Sequence, residues 1–148
     1  VYVTEGILKA EIACMCTGNP YIGVPGVSNH KGLETVVRNL KEQGLKRVYE
    51  CYDMDKMMEL SCKHDEKSAC RQCEHGIYLY HGECPKKRRK RDMIRKGCIK
   101  LYEICEELNV SCKRVTWDTD ASGTWMEHYK GVDDWILQKE EKGHRKTA

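Results

Sequence analysis

Arg47-Val48-Tyr49-Glu50-Cys51-Tyr52, closing on Asp53-Met54-Asp55, is the stretch on which the fold turns. It reads as a buried strand that ends in two carboxylates one residue apart. Val1-Tyr2-Val3-Thr4 closes in the same way on Glu5-Gly6. Side chains two apart on a strand face one side, so Asp53 and Asp55 can point together. On an extended strand they lie roughly 7 Å apart, two steps of about 3.3 Å. A turn beginning at Asp55 brings them near enough to share a metal, directly or through water. Parallel α/β sheets gather ligands at the carboxyl ends of their strands. Three carboxylates collected there form a hard-oxygen site suited to Mg²⁺ or Mn²⁺ rather than Zn²⁺. Such an ion with open positions is the usual apparatus for handling phosphate esters. Glu5 completes the set as a third ligand or as a general base and acid.

Working outward, strand and helix alternate over the first 55 residues. A helix is predicted from Ile7 to Met15 with Leu8, Ile12 and Met15 inward, ended by Thr17-Gly18-Asn19-Pro20. Tyr21 to Val24 reads as a short strand, with a turn at Pro25-Gly26. Leu33, Val36, Val37 and Leu40 mark a second helix, capped by Ser28 or Asn29 and stopped by Gly44. After Asp55 the alternation breaks, and residues 56–91 read as a Cys/His-rich, basic insertion. Order resumes in a helix from Asp92 to Leu108, where Ile94, Cys98, Leu101, Cys105 and Leu108 form an amphipathic stripe. A fourth strand is expected from Val110 to Trp117 and a last helix from Val132 to about Glu140, with a frayed tail after Gly143. The pattern predicts an α/β fold, a mainly parallel four-stranded sheet flanked by helices. Glycine-rich dinucleotide and P-loop fingerprints do not occur.

The 148 residues suit a single domain with an insertion. Its opening at Val1, directly in a strand, reads as an excerpt from a longer protein. Against 23 acidic residues stand 26 basic ones, a formal +3 that by itself does not argue for nucleic acid. No stretch has the length of a membrane span and no signal peptide opens the chain, so no membrane partner is expected. Ten cysteines without a secretory context, several at core-facing helix positions, point to a reducing cytoplasm. Cys14, Cys16, Cys51, Cys98, Cys105 and Cys112 are assigned to core or near-core packing.

Within the insertion, Cys62, Cys70, Cys73 and Cys84 stand as C-x7-C-x2-C-x10-C. The Cys70–Cys73 spacing is that of a zinc knuckle, and Zn²⁺ would supply folding energy to a segment too polar to build a core. His64, His75 and His81 are alternative ligands. Lys86, Lys87, Arg88, Arg89, Lys90 and Arg91 form an unbroken basic run beside the acidic motifs. Such a run can grip a phosphate backbone with strong salt dependence. Tyr78 and Tyr80 can stack on bases or pack a small hairpin. Asp133 and Asp134 open the last helix, where the dipole favours acids. The functional alternative turns Asp133 to the metal and Lys130 to a phosphate. Trp117-Asp118-Thr119-Asp120 offers further carboxylates at a strand end.

Val3-Thr4-Glu5-Gly6 resembles the first motif of toprim domains, and Tyr52-Asp53-Met54-Asp55 resembles the second. With Lys9-Ala10, Val24-Pro25-Gly26-Val27-Ser28 and Lys130-Gly131-Val132-Asp133-Asp134, the chain is similar to an uncharacterised toprim-like family that accompanies primase-helicase proteins of bacterial mobile elements. The resemblance spans nearly all the chain outside the insertion. It implies a toprim-like, Rossmann-like fold, Glu5 as general acid/base, and Mg²⁺ held by Asp53 and Asp55. Where many toprim domains follow the second aspartate with small residues and a helix, this chain continues Lys56-Met57-Met58.

The expected function is Mg²⁺-dependent nucleic-acid phosphoryl transfer of primase or nuclease type, in replication of a bacterial mobile element. DNA or RNA is the expected partner, with a helicase or ATPase module of the same or a neighbouring protein. One alternative is a non-catalytic module that binds nucleic acid or a helicase. A lesser one is a phosphatase of the haloacid dehalogenase type, whose strand also ends in Asp-x-Asp. In that class the motif lies near the domain's start, and Glu5-Gly6 would go unexplained.

Overall fold

The computed structural model describes residues 1–61 and 83–144, with side chains as far as Lys139. Cys62, Cys70, Cys73, the three candidate histidines, Tyr78, Tyr80 and the last four residues lie outside the described residues. The elements run β1 (Tyr2–Glu5), α1 (Ile7–Thr17), β2 (Tyr21–Val24), α2 (Leu33–Glu42), β3 (Arg47–Glu50), a 3-10 turn (Met54–Met57), α3 (Pro85–Glu107), β4 (Ser111–Arg114) and α4 (Val132–His144). All four strands pair in parallel in the order β2-β1-β3-β4. The fold is therefore the expected α/β sheet flanked by helices.

Period-two alternation sends the strand side chains to two cores. Val3, Val24, Val48 and Tyr52 pack with Leu33 and Val37 of α2 and with Ile94, Cys98, Leu101, Ile104 and Cys105 of α3. Cys51, Met54, Trp117 and Trp125 pack with Ala13 of α1 and Val132 and Ile136 of α4. Tyr2 stacks between Tyr21 and Tyr49 with ring centroids 4.9 and 4.7 Å apart, bracing three adjacent strands on that side.

Several sequence expectations change. Helix α1 buries Ala10 and Ala13, while Leu8 and Met15 stand 74% and 79% exposed. The reason is close packing: the Ile7 backbone occupies the space a Cβ on Gly23 would need, so only a small-residue face fits against β2. Helix α2 is preceded by Gly32 in the left-handed conformation, not capped by Ser28 or Asn29, and Val36 is exposed. Strand β4 stops at Arg114, although Trp117 beyond it is buried. Finally, α3 begins at Pro85 rather than Asp92. Proline at a first helical position lacks only an N–H that would have no partner there, so the basic run belongs to this helix. Cys84 precedes it, buried, and the Cys84 N–H donates to Leu60 O at 2.8 Å. The Ser61–Glu83 bridge holds the described ends of the inserted segment side by side.

Helix α3 crosses the loop after β2 at Gly97, where any Cβ would overlap the Val27 side chain and carbonyl. Of the cysteines assigned to packing, Cys51, Cys98 and Cys105 are buried, Cys112 is half-buried, and Cys16 packs against the second core. Cys14 is exposed and is not a core residue.

Beneath the Asp53–Asp55 turn lies an ion network that is absent from the sequence reading. Glu50 and Lys56 are both 0% exposed. Lys56 Nζ lies 2.6 Å from Glu50 Oε1 and donates to Tyr52 O at 2.8 Å and Val115 O at 3.2 Å. Glu50 Oε1 also accepts the Tyr52 N–H at 2.9 Å, and Oε2 accepts Arg114 Nε at 2.8 Å. Removing one partner from such a pair strands a buried charge, at a cost of about 3–5 kcal/mol. Lys56→Met is expected to lose about that much in urea unfolding, and adding Glu50→Gln should restore part of it. An unchanged midpoint in the single variant would contradict this account.

Candidate active site

Strand β1 leads through α1 to β2 on one side, and the chain returns through α2 to β3 on the other. The crevice between β1 and β3 is thus the point where strand order reverses, which is where open α/β sheets place ligands, outside the carboxyl ends. Glu5 ends β1, and Asp53 and Asp55 follow β3. Gly6 turns the chain out of β1 at φ 88°, and its N–H donates to Val24 O at 2.7 Å. The first turn of α1 then brings Lys9 back, its Nζ donating to Asp53 Oδ1 at 2.6 Å.

Lys130 precedes α4 and reaches both aspartates, with Nζ 2.9 Å from Asp53 Oδ2 and 3.1 Å from Asp55 Oδ2. Its own carbonyl accepts the Met54 N–H at 3.0 Å, so the two loops are tied by a backbone hydrogen bond as well as by the side-chain ion pairs. Trp117 helps to hold that loop, donating its indole N–H to Tyr129 O at 3.0 Å. Lys90, in the second turn of α3, lies 3.2 Å from Asp55 Oδ2. Three ammonium groups from three separate elements therefore surround two carboxylates that are each 1% exposed. Burial works against the charge on Lys130, but Asp53 and then Asp55 more than offset it and hold its pKa above the ordinary lysine value.

These contacts do not exhaust the carboxylates. Asp53 Oδ2, both oxygens of Asp55, Glu5 Oε2 and Asp133 Oδ1 are buried without an aligned hydrogen-bond partner. Lys130 and Lys90 reach the aspartates at ion-pair distance. Asp133 lies in the first turn of α4, and its Oδ1 fills the space a Cβ on Gly131 would take. A side chain at position 131 would therefore push the Asp133 carboxylate out of this place.

The sequence places the basic run Lys86–Arg91 beside the acidic motifs and turns Lys130 to a phosphate; in the structure Lys130 and, of the run, Lys90 contact Asp53 and Asp55 themselves. Glu5 and Asp133 stand at the neighbouring strand end and helix start. The rest of the basic run divides. Lys86 and Arg89 line a groove of about 350 Å³ with Pro85, Lys90 and Met93. Arg88 pairs with Glu83 and Arg91 with Asp92, while Lys87 is half-buried. Among the described residues, no three Cys, His, Asp or Glu side chains are gathered closely enough to hold a metal ion as they stand. Sequence reasoning gave Lys9 no role of its own and missed Lys56 and Glu50. The available signal was a lysine set among Met54, Met57 and Met58, in a turn that must be buried if Asp-x-Asp ends a central strand.

Asp118 serves the loop rather than the site. It has φ 53°, and its Oδ2 accepts the His128 and Tyr129 N–H groups at 2.7 and 3.0 Å, with His128 Nδ1 3.0 Å from Oδ1. Asp120 is exposed and accepts from Ser122 and Thr124. Burial opposes ionisation of Asp118, but the Tyr129 and His128 N–H groups outweigh it and lower its pKa. A depressed folded pKa gives stability that is complete above the unfolded aspartate value of about 3.9 and lost as pH falls through the folded value. Asp118→Asn should therefore flatten the acid limb of unfolding free energy against pH without altering cation binding. An unchanged acid limb would assign that stability to other groups.

A family model described as "Domain of unknown function (DUF3854)" matches residues 1–143. No curated protein and no solved structure matches the chain significantly. No helix among the described residues is long and apolar enough to cross a membrane.

Proposed function

The chain belongs to the DUF3854 family, and we propose that it is a toprim-like domain for Mg²⁺-dependent nucleic-acid phosphoryl transfer, of primase or nuclease type. One observation carries the reading: five carboxylate oxygens are buried without aligned donors, from Glu5 at the end of β1, Asp53 and Asp55 after β3, and Asp133 in the first turn of α4. Leaving a buried oxygen unpaired costs about 1–3 kcal/mol, and an all-oxygen donor set fits Mg²⁺ or Mn²⁺.

Asp53 and Asp55 would hold the ion, with Asp133 beside them. Bound there, a divalent cation would polarise and neutralise a phosphate oxygen. Glu5 moves the proton of the attacking or leaving oxygen. Lys130 and Lys90 meet the phosphate, and Lys86 and Arg89 beside Lys90 on α3 extend that contact along a DNA or RNA backbone. Cys84, buried at the start of α3, leaves a structural Zn²⁺ with Cys62, Cys70 and Cys73 as a separate proposal. Replication of a bacterial mobile element beside a helicase or ATPase module is the setting that the motif resemblance supports.

A second reading is favoured by the lysines. They already neutralise Asp53 and Asp55, which suits a module that binds nucleic acid or a helicase without turnover. A phosphatase of the haloacid dehalogenase type ranks last, because it gives Glu5 no task.

Calorimetry with Mg²⁺ on the wild type and on Asp53→Asn/Asp55→Asn tests the ion site, with binding expected in the first and lost in the second. Glu5→Gln should retain nucleic-acid binding but lower turnover by about 100- to 10,000-fold. Undiminished biology in the Glu5 variant would support the binding module instead.

A further inference from the structure

Lys130 and a divalent cation need the same oxygens. Lys130 Nζ lies against Asp53 Oδ2 and Asp55 Oδ2, neither of which makes an aligned hydrogen bond. A divalent ion there would meet the same two oxygens with twice the charge. The Lys130 side chain is 46% exposed, so it can leave toward solvent while the two carboxylates, each 1% exposed, stay in place. Lys9 differs. Its contact with Asp53 Oδ1 is an aligned hydrogen bond of 2.6 Å, and its side chain is only 28% exposed.

The neighbouring cations point to what the released ammonium meets. Lys90 stands beside it, 3.2 Å from Asp55 Oδ2. Lys90 also belongs to the α3 face that carries Lys86 and Arg89, so cationic groups continue beyond the first phosphate.

Resting on the reading of the acidic site as a cation site, we propose that Lys130 is an exchangeable counter-ion. A divalent cation displaces it from Asp53 and Asp55, and the freed ammonium takes a backbone phosphate of a phosphodiester strand. Cation and strand then bind with positive coupling, and thermodynamic linkage makes the coupling reciprocal.

The test titrates Mn²⁺ into the full chain by calorimetry, with and without a short thymidylate oligonucleotide, in wild type, Lys130→Met and Lys130→Arg. In wild type the oligonucleotide should tighten Mn²⁺ on the order of tenfold. Lys130→Met should bind Mn²⁺ alone several-fold more tightly and lose the effect of the oligonucleotide. Lys130→Arg should keep the coupling. Coupling intact in Lys130→Met, or weaker Mn²⁺ binding there, overturns the exchange. Mn²⁺ binding without coupling in wild type overturns it too, while leaving the ion site standing. No Mn²⁺ binding in any of the proteins removes the ion site itself.

Discussion

The ion pair between Glu50 and Lys56 closes the chain on itself over the turn that carries Asp53 and Asp55. Desolvating two such charges costs several kcal/mol per ion, and only full satisfaction makes the arrangement tolerable. Here it is full. An ammonium has three protons to donate, and Lys56 has three oxygen partners, from Glu50, Tyr52 and Val115. Glu50 in turn accepts from Tyr52, Lys56 and Arg114. The pair therefore fixes both feet of a short loop and ties them to β4 through Arg114. Lys56 also lies 5.4 Å from the centre of the Trp117 ring. That tryptophan holds the Tyr129 carbonyl just before Lys130. Loop, strand end and lysine are thus positioned from one buried centre.

Such support matters because the groups above it repel one another. Two aspartates buried side by side in a low-dielectric crevice would be strongly unfavourable without cations close by. Lysines supply that charge from α1, α3 and the loop before α4, three elements with no sequence proximity. Lysine suits this task better than arginine, since an ammonium is a compact charge on a flexible stem and not a fixed bidentate fork. The acidic crevice can then fold with its charge compensated by side chains that reach in from its rim.

Much of the fold was legible because it follows from period and punctuation. The α3 stripe of Ile94, Cys98, Leu101 and Cys105 is a strong 3.6-residue pattern, and burial follows it. The α1 face was misread because large apolar side chains outweighed alanines in the pattern, whereas close helix–sheet approach at Gly23 selects for the alanines. The α3 start was misread because a basic run looks like solvated loop, although Pro85 is itself a helix-start signal. At the site, Asp53, Asp55 and Lys130 could be read from their placement at strand and helix ends. Glu50 and Lys56 could not, since a charged residue in a strand reads as exposed and its partner lies around a turn whose geometry the sequence does not state.

The earlier start of α3 changes the physical character of the basic run. On a loop, its six cations would be interchangeable contributors to a diffuse field. On a helix they separate by direction, because side chains meet only at intervals of three and four. Lys86, Arg89 and Lys90 share one groove, and Lys90 of that group reaches Asp55. Arg88 and Arg91 are turned to carboxylates at Glu83 and Asp92. The helix therefore converts a run of like charges into an oriented row whose one end touches the acidic crevice. A polyanion lying along that row would have one of its phosphates delivered to the carboxyl ends of β1 and β3, so binding and positioning become a single event.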